Sequence, residues 1–371
     1  MRRILIDNRI KDLAADYVKD ISIEVVGVEN FLRSLAEELK KRTTKICVCT
    51  PDNTNCYKGD EYQSVSQYVG EIANQYGRLN NLLPSQFDGV MSQIDGKLGM
   101  IKVEDIIVKL KDKEKKPLYE LIVDIMGYNK VRKKIFPQYV NELNIKTCVY
   151  CNSQFAITTF IEDVHEKIML GKPGRPKKAI VIPRLGGYYE IDHNKPKSRY
   201  PYFCTNFYNL QPCCSSCNKR KLARDLPFSI YYEEGDPDPA PLRFAISPQD
   251  VIDFHTKGKC KGVKPYLCDE ANPTKRVVAK KDGTLAERFN YIFDIDKIYA
   301  EHDDEVEELL WRNRLYTQGI VSATSSQFKS LKIEGFDFGR YILGTYPNRE
   351  DALKRPLTAM KQDIWEQVTK V

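Results

Sequence analysis

The sequence predicts an α+β protein in which a central strand–strand–helix unit is braced by cysteines, with a helical segment before it and an α-rich segment after it. Three observations lead there. Apolar residues recur at helical spacing through the first third of the chain. A short alternating run, Tyr188 to His193, sits between two Cys-x-x-Cys pairs, and helical periodicity returns in the last third. The expected boundaries are residues 1–140, 141–225 and 226–371.

In the first segment Ile10, Leu13, Ala14, Tyr17 and Val18 mark a helix behind the capping residues Asp7 and Asn8. Phe31, Leu32, Leu35 and Leu39 mark another behind Asn30. A polar break from Thr50 to Gly59 precedes further helical signals at Gln63–Leu83 and Val103–Leu110. Lys111 to Lys116 reads as a charged linker, and a basic run ends at Lys134, just before the central unit. In the last segment the Pro-rich run Glu233–Pro241 marks a boundary or exposed loop. One long helix is expected from Phe293 to Gln318, capped by Asp303, with a Val306, Leu309 and Leu310 stripe and Arg312 and Arg314 near its end.

The central unit carries the chemistry. Cys148 and Cys151 form one Cys-x-x-Cys turn and Cys214 and Cys217 the other. Each turn converges two thiolates on one ion, so together they predict a closed tetrahedral Zn²⁺ site of structural type. Cys213 is adjacent, but only Cys214 keeps the spacing to Cys217. Between the pairs, alternation places Tyr189, Ile191 and His193 on one strand face and Tyr188, Glu190 and Asp192 on the other. A second strand is expected over Asn206–Leu210, and a helix over Cys214–Arg224.

Asp192-His193, Asn209-Leu210 and Cys214-Ser-Ser-Cys217-Asn218-Lys219-Arg220-Lys221 together resemble the HNH, or ββα-metal, nuclease family. The similarity spans about 80 of the 371 residues, with Asn218 where the family's spelling has its last His. The resemblance implies that His193 is the general base, that Asp192 and Asn218 ligate a catalytic Mg²⁺ or Mn²⁺, and that Asn209 fixes the loop and the His193 ring. The side-chain chemistry suits those roles: neutral imidazole can deprotonate water near neutral pH, and a hard cation on oxygen ligands supplies charge to a phosphodiester.

Charge is consistent with a polyanionic partner. The chain is net +7, and residues 141–225 hold 14 Lys and Arg against 7 Asp and Glu, while the remainder balances at 44 against 44. Lys195, Lys197 and Arg199 after His193, and Lys219, Arg220, Lys221 and Arg224 after Asn218, are the expected phosphate contacts. Gly171–Lys178 (GKPGRPKK) resembles an AT-hook core, against the plainer reading of a solvated basic loop.

The remaining expectations are coarse. No apolar run is long enough for a membrane span, and the apolar run near the N-terminus is too short for a secretory signal, so a cytoplasmic setting is expected. Cys47, Cys49 and Cys56, and Cys260 with Cys268, lack paired spacing and are read as ordinary reduced thiols. The acidic-to-basic helix after the nuclease-like unit loosely resembles bacterial phage-defence HNH proteins that act beside an ATPase. DNA cleavage in defence, restriction or a toxin-like effector is therefore the leading expectation. The alternatives are an RNA-directed nuclease with the same site, or a zinc-stabilised nucleic-acid-binding module that does not cut.

Overall fold

The structure, a computed structural model, describes residues 2–41, 46–50, 57, 60–110, 115–170, 178–236, 242–269, 272–331 and 337–369. Its architecture is α+β, with small antiparallel sheets among many helices. The first helix, Asn8–Glu24, starts where the Asp7 side chain accepts from the Ile10 amide at 2.8 Å, and it buries Ile10, Ala14, Tyr17 and Ile21 along one face. Helix Val28–Lys40 packs against helix Asp60–Leu79. Gly27, not Asn30, precedes it in the left-handed region, which leaves Phe31 exposed over that glycine.

Val103–Leu110 does not form the expected helix. A single 3-10 turn, Val103–Asp105, gives way to a strand, Ile107–Leu110, paired with Ile46–Cys49 and with Lys116–Pro117. Ile106 and Val108 are fully buried and two apart, so the β-branched run follows a period of two once it has a partner strand. Residues 111–114 of the expected linker, and 51–56, 58 and 59 of the expected break, lie outside the described residues.

From the Cys148–Cys151 turn the chain leaves as a long antiparallel hairpin, Ile157–Leu170 with Lys178–Tyr188, hereafter the arm. Residues 171–177 of the AT-hook-like run lie outside the described residues. At the base of the arm Gly186 and Gly187 are required by close approach: a Cβ on either would collide with the Ile161 side chain or the Tyr189 ring.

The C-terminal helix expected as one piece is three. Leu285–Phe293, opened by a Thr284/Glu287 capping box, stops at Asp294, which adopts φ 51°, and Ile295–Tyr299 and Asp303–Leu315 follow. His302 occupies the cap position and Asp303 the first turn, while Val306, Leu309 and Leu310 form the buried stripe as expected. The last helix, Thr358–Thr369, packs on Asp303–Leu315 and on strand Leu242–Ala245. A buried Arg2–Asp363 ion pair, and parallel pairing of Ile4–Leu5 with Tyr231–Tyr232, bring the chain's beginning onto this region. One apolar core runs continuously from Ile6 to Val368 through all three segments.

Burial raises the Asp95 carboxyl to about 6, partly opposed by the hydrogen bond from the Tyr202 hydroxyl at 3.0 Å. A carboxyl raised on folding favours the fold when protonated, and that contribution is lost as pH climbs from about 4 through about 6. Asp95→Asn should therefore raise the thermal midpoint at pH 7, with the gain vanishing near pH 4. Melting curves across that range check it.

Candidate functional site

Two short local motifs bring the four cysteines together. Asn152, at φ 52°, closes the first turn by donating its amide to the Cys148 carbonyl at 2.9 Å. Its side chain donates to Thr147 Oγ1 and to the Ala352 carbonyl, both at 2.9 Å, and accepts from the Ala359 amide at 3.1 Å, so the turn is fastened to the C-terminal segment. Cys214 caps the short helix Ser215–Lys221, and Cys217 lies in its first turn.

All four sulfurs lie within 4.8 Å of one another, with Cys151 and Cys214 at 4.0 Å. Tetrahedral zinc with Zn–S near 2.3 Å requires sulfurs about 3.8 Å apart, so the group fits a metal such as zinc. Burial pushes the Cys148 thiol up, whereas hydrogen bonds from neighbouring sulfurs hold Cys151 and Cys214 down; four thiolates share this space only with a cation among them. Cys213 stays outside the cluster, opposite Glu190 in the strand pair. Among the described residues no other group of three or more His, Cys, Asp or Glu ligands converges in this way. Cys260 and Cys268 are separately buried thiols, Cys56 lies outside the described residues, and nothing is assigned to the Cys47 side chain.

Strand Glu190–His193 pairs antiparallel with Leu210–Cys213. The second strand thus begins where it was expected to end. Asn206 Oδ1 accepts from the Asn209 amide at 3.0 Å and winds Phe207–Asn209 into a 3-10 turn. The helix is also shorter than expected, ending at Leu222 with φ 51°.

Asn209 is fully buried and holds the intervening loop. It accepts from the Lys195 amide at 2.7 Å and donates to the carbonyls of Lys195 at 3.1 Å and Phe203 at 2.9 Å. The His193 ring is held instead by the Cys204 carbonyl, 3.1 Å from Nε2. A carbonyl only accepts, so Nε2 carries the proton and Nδ1 keeps its lone pair. Burial, reinforced by the Lys197 charge, lowers the imidazole to about 3, so it is neutral across the physiological range. Tyr128 lies 4.9 Å from it, ring to ring, and Lys197 Nζ sits 4.7 Å over the other partner of that contact, the Tyr128 ring.

His193 lines a cleft of about 910 Å³ together with Glu190, Asp192, Lys197 and Asn218. Strand residues two apart face helix residues three apart: Asn218 donates to Glu190, and Lys221 pairs with Asp192 at 3.0 Å. Asp192 also accepts from the Tyr150 hydroxyl at 2.6 Å. With its Nδ2 committed to Glu190, Asn218 has its amide oxygen left for a ligand, and the wall offers the hard oxygen donors that a small divalent cation takes.

The expected phosphate contacts separate. Lys197 lines the cleft, half-buried. Lys221 does not belong with the others: it is fully buried, tied to Asp192 and to the His193 carbonyl at 2.6 Å, because its stem crosses the short helix onto the strand pair. Arg199 pairs with Asp225 at 3.3 Å and Glu104 at 3.7 Å, Lys195 lies 3.7 Å from Asp88, and Arg220 pairs with Asp294. Lys219 and Arg224 are exposed but do not line the cleft. The cleft's other cations, Arg132, Lys133 and Arg184, come from the basic run ahead of the unit and from the arm. Sequence reasoning noted that run without assigning it. It missed Glu190 and Tyr128 altogether, although the alternation that put Asp192 on one face put Glu190 there too.

No family model, curated protein or solved structure matches this chain.

Two outcomes follow. Purified protein should hold about one zinc per chain, and Cys148→Ser or Cys217→Ser should lose both metal and fold, since closing such a site contributes folding free energy directly; elemental analysis with circular dichroism reads both. Lys221→Ala should destabilise by about 3–5 kcal/mol by stranding the buried Asp192 carboxylate, and Asp192→Asn in the same chain should recover part of the loss. Denaturant titration measures it.

Proposed function

We propose that this chain is a metal-dependent endonuclease of the HNH type that hydrolyses phosphodiester bonds, in DNA rather than RNA. The supporting observation is the His193 imidazole, neutral, with Nε2 tied to the Cys204 carbonyl, on the wall of a cleft shared with Glu190, Asp192 and Asn218. Nδ1 of His193 takes a proton from water as that water attacks phosphorus, and Lys197, Arg132 and Lys133 bind and orient the strand through its phosphates. Asp192 and Asn218 would hold Mg²⁺ or Mn²⁺, which supplies positive charge to the scissile phosphate when bound. With the 3′-oxygen as leaving group, the products carry 5′-phosphate and 3′-hydroxyl ends.

A second reading, a zinc-stabilised module that binds nucleic acid without cutting, is favoured by one contact: Lys221 already neutralises Asp192, so that carboxylate does not require a metal in order to be buried. The proposed setting is bacterial defence, restriction or a toxin-like effector beside an ATPase or sensor. Its support is modest: helix Asp303–Leu315 runs from three acids in its first turn to Arg312 and Arg314, with Trp311 and Leu315 exposed. Among the described residues no helix is long and apolar enough to cross a membrane.

The deciding experiment incubates purified protein with plasmid, single-stranded DNA or RNA and Mg²⁺, Mn²⁺ or chelator. His193→Ala should cut about 10²–10⁴-fold more slowly with nucleic-acid binding intact, because the base acts only on the attacking water. The wild-type rate should not fall through an imidazole titration between pH 7 and 5, because His193 stays neutral down to about 3. Cleavage by His193→Ala at the wild-type rate sinks the assignment. Wild-type protein that binds but never cuts selects the binding module.

A further inference from the structure

On the far side of the loop that follows His193 lies a second pocket, of about 570 Å³, that the proposed chemistry does not use. Its size is that of a small-molecule site. Phe87, Phe228, Tyr231 and Tyr232 supply aromatic walls. Arg3 lies over two of them, 5.2 Å from the Tyr232 centroid and 5.9 Å from Phe228, so this wall already carries one planar group.

Two polar side chains lining the pocket are left over. Asn194 is 6 % exposed, and its Oδ1 has no hydrogen-bond partner; Tyr231 is 0 % exposed, and its hydroxyl has none either. Buried groups of this kind cost free energy unless something satisfies them. Whichever way the amide is turned, Asn194 offers a donor and an acceptor side by side, and the phenol offers both as well. The cations lining the pocket are committed: Arg3 pairs with Asp236 at 2.7 Å and Lys195 faces Asp88 at 3.7 Å, with Glu233 adding a further negative charge. That balance opposes a phosphate inside the pocket. It suits an uncharged planar ring with mixed donors and acceptors on its edge.

We propose that this pocket binds a nucleobase, with the ring against the aromatic walls and its hydrogen-bonding edge on Asn194 and Tyr231. Free nucleosides and unstacked bases of a bound strand share that chemistry. Asn194 is the residue after His193, and its amide donates to the Asn209 carbonyl at 2.9 Å, so an occupant touches the same loop that carries the imidazole. The binding itself does not depend on the chain being a nuclease.

The test titrates the full zinc-loaded chain with adenosine, guanosine, cytidine and uridine, followed by calorimetry and saturation-transfer NMR, with ribose 5-phosphate as the base-free probe. A parallel arm compares a short single-stranded oligonucleotide with its abasic counterpart. At least one nucleoside, or the base-bearing oligonucleotide alone, should bind; which of the two does so identifies the source. Tyr231→Phe should weaken that binding about two- to tenfold, the worth of one hydrogen bond, with no loss of thermal stability because the hydroxyl has no protein partner to lose. Asn194→Leu should weaken it further, and His193→Ala should leave it unchanged, which separates this inference from the fate of the nuclease reading. If neither nucleosides nor bases in a strand bind, or if Tyr231→Phe binds as the wild type does, the pocket is not a nucleobase site.

Discussion

The structure depends on how a buried loop satisfies its own backbone. Residues 194–209 join the two strands of the short hairpin, and Thr205, Asn206 and Asn209 within them are fully buried. A buried loop without secondary structure is unfavourable unless each amide and carbonyl finds a partner. Asn209 bonds across the loop to Lys195 and Phe203, while Asn206 donates to the carbonyls of Leu79 at 2.7 Å and Leu82 at 3.1 Å. Thr205 donates to Asn80 Oδ1 and accepts at its carbonyl from the Tyr17 hydroxyl, both at 2.7 Å. The helical first segment is therefore the wall against which the loop is built. The Cys204 carbonyl that orients His193 lies within that fixed stretch.

How much of this was legible in the sequence depends on the range of the interaction responsible. The four cysteines converge as their spacing implied, because each Cys-x-x-Cys turn is local and one metal geometry joins them. Tyr17 and Leu39 are buried as their helical periodicity implied. The failures are places where a partner distant in sequence decided. Ile107–Leu110 became a strand because Ile46–Cys49 lay beside it, and the helix expected at Phe293 was broken by a left-handed Asp294, which no propensity signals strongly. Within the site, residue types and faces were readable, but contacts were not. Nothing in the spelling Asn-Lys-Arg-Lys distinguishes Lys221, folded under the helix, from the exposed Lys219 two positions earlier.

That inward lysine changes how the acidic wall is understood. Asp192 is surrounded by the Tyr150 hydroxyl and the Lys221 ammonium, so its charge is offset from within the protein. The same ammonium donates to the His193 carbonyl, linking acid, base and short helix through one side chain. A buried pair of this kind contributes less to net stability than to fixing one geometry.

The arm has a consequence for how the chain can change. Its strands leave and return at one register pair, Ile157 opposite Tyr188, between the two halves of a cysteine cluster whose members stand 63 positions apart. Whatever lies beyond that pair does not alter the distance the cluster must span. Doubling a closed loop costs only about 0.6 kcal/mol in chain entropy. The hairpin can thus be lengthened, trimmed or exchanged outward of its base at little thermodynamic cost, making it the region where related chains are freest to diverge in what they reach.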